Sequence, residues 1–141
     1  MDWVINDLKP MIDQKYRTIP FRECTGIGGS SMGGLMAFYT VIHYNQYFSK
    51  AACLSPAISL CTNQLLQEMK NQDFNQDTRV YWSFGSKETS NPQYFLKNIQ
   101  IFNDEIVRRG GQSYIHIEEG GQHNEATWEK QNQLYFDILW K

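Results

Sequence analysis

The chain has 141 residues, enough for one domain with a buried core, and we interpret residues 1–141 as a single domain. Its formal net charge is −2 at pH 7, and its lysines and arginines are scattered singly along the sequence. This distribution excludes the basic surface by which proteins bind a nucleic-acid backbone or an anionic membrane. We therefore expect neither nucleic acid nor a membrane as a partner.

The cysteines, Cys24, Cys53 and Cys61, are three in number and include no C-x-x-C pair. An odd count with this spacing argues against a disulfide framework and a zinc site, and it suits a reducing compartment. The segment MDWVINDLKP carries two aspartates in its first seven residues and no long apolar run, unlike a secretory signal or a membrane anchor. With Met1 as the natural start, we expect a cytoplasmic protein without a metal or a cofactor.

The order of predicted elements alternates between helices and strands. Hydrophobic residues at helical spacing predict a helix from Trp3 to about Tyr16, and a short strand over 23–28 then runs into a glycine cluster. A helix over 35–44 follows. Farther along, the predicted strands are AACLS, RVYWSFG and SYIHIEEG, and the predicted helices are LLQEMK, FLKNIQIFNDEIVRRG and ATWEKQNQLYFDILW. Strands separated by helices pair in parallel, so the predicted class is α/β, a parallel sheet with helices on its faces.

The glycine-rich segment 28–34, GGSSMGG, lies between a predicted strand and a predicted helix. Phosphate loops, dinucleotide loops and nucleophile elbows all occur at such a place. A phosphate loop needs a lysine that is absent, and a dinucleotide fingerprint starting at Gly26 has Ser31 where its third glycine belongs. The pattern G-x-S-x-G fits Gly29, Ser31 and Gly33. Ser31 is therefore the candidate nucleophile, although a plain glycine- and serine-rich loop also fits the motif on its own.

The chemistry of an activated serine explains this spacing. The serine must sit on a tight, strained turn between a strand and a helix, and small flanking residues let the backbone make that turn. The turn also brings the backbone N–H of Met32 to a helix N-terminus, where it can donate to a developing oxyanion. Met32 is thus the candidate oxyanion donor.

The candidate general base is His123, in the segment GGQHN between the last predicted strand and the last predicted helix. A histidine on a flexible loop at a strand end can reach a serine hydroxyl and has a suitable pKa for proton transfer. His43 falls inside an apolar helix and His116 alternates within a strand, so both are interpreted as structural residues.

The candidate triad acid is Glu88, in the turn Gly85–Glu88 at the end of the strand RVYWSF. A carboxylate at that position can orient the histidine, and the chain order serine, acid, histidine is that of α/β-hydrolases. A role for Glu88 as an ordinary solvated surface residue stays open. Three other glutamates could also approach His123: Glu118, Glu119 and Glu125.

Four segments carry a family resemblance that runs over nearly the whole chain: GGSSMGGLMAFY, FSKAACLSPAI, YWSFGSKE and GGQHNEATW. The chain resembles the C-terminal part of a family of α/β-hydrolase esterases that includes enterochelin-esterase-like enzymes, feruloyl esterases and S-formylglutathione hydrolases. The resemblance implies Ser31 as nucleophile, Glu88 as acid and His123 as base. Many relatives have aspartate in place of Glu88, and some enterochelin-esterase-like members are thought to use a serine–histidine pair alone.

The position of the serine in the sequence predicts an incomplete sheet. In the α/β-hydrolase fold four strands and an oxyanion-loop donor normally precede the nucleophile, whereas one helix and one short strand precede Ser31. The first strand would then be an uncovered edge, which invites association. We expect either a portion of a longer esterase or a homo-oligomer that covers the edge.

The predicted function is hydrolysis of a small-molecule carboxylic ester through an acyl-enzyme on Ser31, with His123 as general base. Acyl transfer to an alcohol by the same residues and a non-catalytic truncated module are the alternatives. The substrate is left open. Several aromatic residues are interpreted as core residues rather than as substrate contacts: Tyr39, Tyr47, Trp82, Trp128 and Trp140.

Overall fold

Four parallel strands form one sheet in the computed structural model, which describes residues 1–141. The strands are β1 (Gly26–Ser30), β2 (Lys50–Leu54), β3 (Arg79–Gly85) and β4 (Gln112–Glu118), and they lie side by side in the order β1-β2-β3-β4. Gly26 pairs with Lys50, Lys50 with Arg79, and Arg79 with Gln112. The predicted α/β class with a parallel sheet is confirmed.

Helices connect the strands and cover both faces of the sheet. They are α1 (Lys9–Lys15), α2 (Met32–His43), α3 (Thr62–Lys70), α4 (Pro92–Arg108), α5 (Glu125–Glu129) and α6 (Asn132–Leu139). A π-helical turn, Val4–Leu8, precedes α1, and 3-10 turns span Arg22–Cys24 and Ile58–Leu60. None of these helices combines the length and the apolar character needed to cross a membrane.

Several predicted boundaries were wrong. Helices α2, α3 and α4 each begin three residues earlier than predicted, at Met32, Thr62 and Pro92. The first strand begins at Gly26 rather than residue 23, because Arg22–Cys24 form a 3-10 turn. The last predicted helix is two helices, α5 and α6, separated near Gln131. The Gln131 side chain is buried, donates to the Thr127 carbonyl at 3.1 Å and accepts from the Tyr81 hydroxyl at 3.1 Å. A buried amide must satisfy its hydrogen bonds, and Gln131 does so through Tyr81 of the sheet and the Thr127 carbonyl. These hydrogen bonds lie at the break between α5 and α6.

The main core lies between one face of the sheet and helices α2, α3 and α4. Strands β2 and β3 are buried along nearly their whole length, which is typical of central parallel strands. Phe38 of α2 packs against Trp82 of β3 with ring centroids 4.5 Å apart, and Phe102 of α4 joins them at 5.0 Å from Phe38. A smaller cluster around Tyr81 and Leu139 packs α6 on the opposite face.

All four strands run in the same direction, so their C-terminal ends meet at one edge of the sheet. Ser31 follows β1, Ser55 follows β2, Glu88 follows β3 and His123 follows β4. Ligand sites in open parallel sheets lie outside this edge. Strand β1 stands at the end of the sheet and pairs only with β2.

Candidate active site

Ser31 occupies a strained turn between β1 and α2. Its backbone has φ 56° and ψ −119°, in a region that non-glycine residues seldom adopt and that typically costs about 1 to 3 kcal/mol. The surrounding backbone holds it there, because the Ser31 N–H donates to the Leu54 carbonyl at 2.9 Å and the Ser31 carbonyl accepts from the Ala57 N–H at 3.1 Å. Such a backbone outlier at a strand end is a reason to test the residue for function.

The glycines around Ser31 differ in how tightly they are packed. A Cβ atom on Gly29 would lie 2.6 Å from the carbonyl carbon and oxygen of Gly33, so only glycine fits at 29 without a shift of the backbone. A Cβ atom on Gly33 would meet no other atom within 4 Å, whereas one on Gly34 would lie 3.0 Å from the Leu54 carbonyl oxygen. The tight packing expected at Gly33 is found at Gly34 instead.

Met32 is the first residue of α2, directly after Ser31. Backbone N–H groups in the first turn of a helix have no acceptor within that helix, and the helix dipole adds positive potential there. The N–H of Met32 is therefore suited to bind an oxyanion that forms at Ser31.

Glu88 and His123 lie within hydrogen-bonding distance of each other, across the loops that follow β3 and β4. Glu88 Oε2 lies 3.0 Å from His123 Nδ1. The Glu88 side chain is only 6% exposed, whereas that of His123 is 46% exposed. Because Nδ1 is taken up by the carboxylate, Nε2 is the nitrogen left to exchange a proton with a serine or a water molecule. The Ser31 side chain makes no cap hydrogen bond and no hydrogen bond with His123 in this structure.

The other two histidines have partners elsewhere. His43 Nε2 lies 3.1 Å from Glu68 Oε2, and the ring stacks on a tyrosine of the same helix. His116 Nε2 lies 3.1 Å from Glu118 Oε2. Among the glutamates considered from the sequence, Glu88 is the one that pairs with the loop histidine.

Main-chain hydrogen bonds hold the strand-end loops together. The Ser86 N–H donates to the Glu118 carbonyl at 3.0 Å, and the Lys87 N–H donates to the Gly121 carbonyl at 2.9 Å. A Cβ atom on Gly85 would overlap the carbonyl group of Gly121, so the two loops approach so closely only because glycine stands there. These hydrogen bonds hold the loop that carries Glu88 against the loop that carries His123.

Two residues of the site were missed by the sequence analysis. Ser55 Oγ donates to Glu88 Oε1 at 2.5 Å, and Trp128 Nε1 donates to Ser55 Oγ at 2.8 Å. Ser55 was the last residue of the predicted strand AACLS, and its place at the C-terminal end of that strand was a usable signal. Trp128 was interpreted as a core residue, and no pattern in the sequence shows that its indole reaches Ser55.

Cys53, which is buried, and Cys61, which is half-buried, are poor alternative nucleophiles. Burial raises the pKa of the Cys53 thiol well above its ordinary value, and burial also raises that of Cys61. A thiol reacts through its thiolate, so both groups are held in the unreactive form. No group of three or more histidine, cysteine, aspartate or glutamate side chains is arranged to hold a metal ion.

An apolar groove of about 430 Å³ lies between β1, part of β2 and the C-terminal helices. Trp128, Phe136 and Trp140 line it, together with the glycines of β1. Phe136 is 53% exposed and Trp140 is 44% exposed, so the interpretation of Trp140 as a core residue was wrong. The same interpretation of Tyr47 was also wrong, because that residue is 39% exposed. Trp82, in contrast, is fully buried as expected.

Comparison with known families identifies the chain. The sequence model of a family described as "Putative esterase" matches residues 1–132. The chain belongs to this esterase family. The curated relative found for it is the uncharacterized protein YbbA of Bacillus subtilis (strain 168), which is 24% identical over 136 residues. That match covers 91% of this chain and 54% of YbbA.

Solved structures of esterases share the fold of this family member. An enterochelin esterase from Shigella flexneri aligns with a TM-score of 0.80 and 18% identity, over 98% of this chain and 36% of that chain. A ferulic acid esterase aligns with a TM-score of 0.73 and 17% identity, over 99% of this chain and 59% of that chain. An S-formylglutathione hydrolase from Staphylococcus aureus aligns with a TM-score of 0.66 and 19% identity, over 96% of this chain and 58% of that chain.

These likenesses confirm the α/β-hydrolase-like fold and the resemblance to the three groups of esterases that the sequence motifs indicated. The chain spans about half the length of the curated relative it matches and a smaller or similar share of the solved structures.

Proposed function

We propose that this chain carries the reacting groups of a serine carboxylic-ester hydrolase, with Ser31 as nucleophile, His123 as general base and Glu88 as the acid that orients the base. The observation that supports this most is the 3.0 Å contact between Glu88 Oε2 and His123 Nδ1. It lies at the same edge of the sheet as the strained Ser31 turn. Membership of the esterase family supports the same chemistry.

In the proposed acylation step, Ser31 Oγ bonds to the ester carbonyl carbon while its proton passes to His123 Nε2. The carbonyl oxygen becomes an oxyanion that accepts from the Met32 N–H. The C–O bond to the alcohol then breaks, and the leaving oxygen takes the proton from His123. Glu88 stabilises the imidazolium between these two transfers.

Deacylation uses the same groups in reverse order. A water molecule gives a proton to His123 Nε2 and attacks the acyl carbon, and Ser31 leaves with that proton while the carboxylic acid departs. An alcohol could take the place of water, in which case the product is a new ester. Analysis of products with and without an added alcohol separates hydrolysis from transfer.

The open edge of β1 bears on the partners of the chain. An unpaired strand presents a row of free backbone donors and acceptors and pairs readily with another strand. The exposed Phe136 and Trp140 add apolar surface beside this edge. We propose that a second copy of the chain covers the edge when the chain is alone in solution. The cytoplasmic location expected from the sequence stays a prediction.

A fluorophosphonate probe with intact mass measurement tests the assignment of the nucleophile. We expect the probe to add once to the wild-type chain and not to Ser31→Ala. Ser30→Ala is the matched control, because Ser30 directly precedes Ser31 at the end of β1 and its hydroxyl makes no hydrogen bond with Glu88 or His123. Labelling that persists in Ser31→Ala, or that disappears in Ser30→Ala alone, would overturn the assignment.

A further inference from the structure

The proposed acid, Glu88, is held by more than its contact with His123. Its two carboxylate oxygens have different partners: Oε2 faces His123 Nδ1, whereas Oε1 accepts from the Gly85 N–H at 2.6 Å and from the Ser55 hydroxyl at 2.5 Å. Two donors on Oε1 leave Oε2 as the oxygen available to the histidine. The rotation of the carboxylate is thereby fixed.

The direction of the hydrogen bond from Ser55 follows from the chemistry of its neighbour. The indole nitrogen of Trp128 can only donate, and it lies 2.8 Å from Ser55 Oγ, so Ser55 must accept there. A hydroxyl has one hydrogen, which is then free to point at Glu88 Oε1. Trp128 therefore decides which way the Ser55 hydroxyl is turned.

The backbone at Ser55 is a second, independent observation. Ser55 has φ 46°, and Ser31 is the other non-glycine residue with a positive φ. The residue is 1% exposed, and its N–H donates to the Ser83 carbonyl at 2.6 Å. Glycine would adopt this conformation without strain, so the serine side chain stands there at some cost in stability. That cost is explained if the hydroxyl has a role.

Trp128 also contacts His123, the residue that Glu88 faces. Its ring packs edge-to-face on the His123 ring, with centroids 5.1 Å apart and planes at 86°. The two residues are joined by the start of α5, where the Asn124 side chain caps the helix by accepting from the Thr127 N–H at 3.0 Å. One indole thus packs on the base and directs the hydroxyl that orients the acid.

We propose that Ser55 and Trp128 are positioning residues, which act through Glu88 to hold His123 with its Nδ1 proton towards the carboxylate and its Nε2 free. The inference rests on the proposed function for its catalytic consequence. The tautomer of His123, in contrast, is a property of the folded chain and can be measured without any activity.

The test compares Ser55→Ala and Ser55→Gly with Ser83→Ala. Ser55→Gly removes the hydroxyl but relieves the backbone, so it separates the side chain from the φ angle. Ser83→Ala removes a neighbouring hydroxyl that is fully buried and makes no hydrogen bond, while keeping the carbonyl that holds Ser55. Trp128→Phe keeps an aromatic ring beside His123 and removes the indole donor.

The first readout is the ¹⁵N chemical shifts of the His123 ring at a pH where the ring is neutral. We expect the Nδ1–H tautomer to dominate in the wild type and in Ser83→Ala, and the Nε2–H tautomer to gain in both Ser55 variants and, less strongly, in Trp128→Phe. The second readout is hydrolysis of p-nitrophenyl acetate. Loss of a hydrogen bond to a charged group predicts a kcat about tenfold to a hundredfold lower in both Ser55 variants, with KM little changed.

Failure of the two proposals can be distinguished. The positioning role would be overturned, whatever the activity, if His123 of the wild-type chain were a mixture of the two tautomers. It would also be overturned if His123 kept its wild-type tautomer in Ser55→Gly. Tautomer changes in the Ser55 variants of a chain that does not hydrolyse esters would support the positioning role and count against the proposed function alone. Thermal unfolding of each variant confirms that the folded state is being compared.

Discussion

At Gly29 the backbone of the Ser31 turn comes closer to a neighbouring segment than a side chain would allow. A Cβ atom there would lie 2.6 Å from the Gly33 carbonyl group, whereas a Cβ atom on Gly33 would meet nothing within 4 Å. We therefore expect Gly29→Ala to displace the turn and abolish fluorophosphonate labelling of Ser31. Gly33→Ala is the matched control, because it adds the same methyl group at a position where that group meets no other atom.

The expected stabilities of these two variants also differ. Gly33 lies in the first turn of α2, where alanine is favoured over glycine by roughly 0.5 to 1 kcal/mol. Gly33→Ala should therefore unfold at the wild-type temperature or slightly above it, and Gly29→Ala below it. Equal labelling and equal stability of the two variants would contradict the packing argument.

Glu88 differs from the other nearby glutamates in its contact with His123. Glu88→Gln should keep the shape of the side chain but remove the charge that stabilises the imidazolium, and such a change can lower kcat by as much as about 10⁴-fold. Glu118→Gln, which removes the carboxylate beside His116, should leave hydrolysis near the wild-type rate. The comparison is made by steady-state hydrolysis of p-nitrophenyl acetate. A larger loss of hydrolytic rate in Glu118→Gln than in Glu88→Gln would contradict the assignment of Glu88 as the acid.

Among the elements, helix α4 ends in an ion-pair cluster that makes its stability depend on pH. Glu105 accepts from Arg108 at 2.7 and 2.9 Å and from Arg109 at 2.8 Å. The hydrogen bonds from Arg108, and then those from Arg109, hold the pKa of Glu105 at about 2, against the opposing effect of burial. Arg109 also donates to the Gln72 carbonyl at 3.0 Å, which ties the end of α4 to the segment after α3.

The sign of the pH effect follows from the direction of this shift. The pKa of Glu105 is lower in the folded chain than in the unfolded one, so its contribution is present above the unfolded value of about 4.5 and is lost as the pH falls towards 2. Glu105→Gln should cost about 1.5 to 3 kcal/mol near neutral pH and progressively less between about pH 5 and about pH 2. Urea unfolding across this range measures the difference.

Glu129→Gln provides the control for that series, because Glu129 is an exposed glutamate at the end of α5. Its effect on the free energy of unfolding should be small at every pH. A Glu105→Gln penalty that stays constant down to the lowest pH would mean that charge is not the source of the stabilisation.

The elements that the sequence predicted well are those with strong local patterns. β2 and β3 are continuous apolar segments, and the helix over residues 92–108 has regular amphipathic spacing and a glycine at its end, Gly110, with φ 87°. The break between α5 and α6 was missed because it accompanies the hydrogen bond between Gln131 and Tyr81, which lie 50 residues apart. No local pattern reports such a contact.

The residues of the candidate site divide in the same way. Ser31 was predicted from a motif, and His123 and Glu88 from their positions at strand ends, because parallel strands bring those ends together. Ser55 and Trp128 were not found, since their place depends on side-chain directions that only the folded chain defines. The different packing of Gly33 and Gly34 likewise depends on where β2 ends relative to the turn.

For the molecule as a whole, the open edge of β1 predicts association. If a second copy covers this edge, the chain should elute as a dimer in size-exclusion chromatography with light scattering. Phe136→Lys places a charge on the exposed apolar surface beside β1 and should shift the dimer towards monomer. Tyr94→Lys, at a 57% exposed aromatic residue on α4, is the control and should leave the dimer intact. A monomer at all concentrations would contradict the proposed partner.

The central claim is that Ser31 and His123 act together as one catalytic unit, and the most direct test is to compare the single and double alanine variants. We would measure kcat/KM for p-nitrophenyl acetate with the wild-type chain, Ser31→Ala, His123→Ala and the double variant. We predict that each single change lowers kcat/KM by at least about a thousandfold and that the double variant is no slower than either, as for residues that work as a unit. Hydrolysis that survives in Ser31→Ala, or losses that simply multiply in the double variant, would contradict this account.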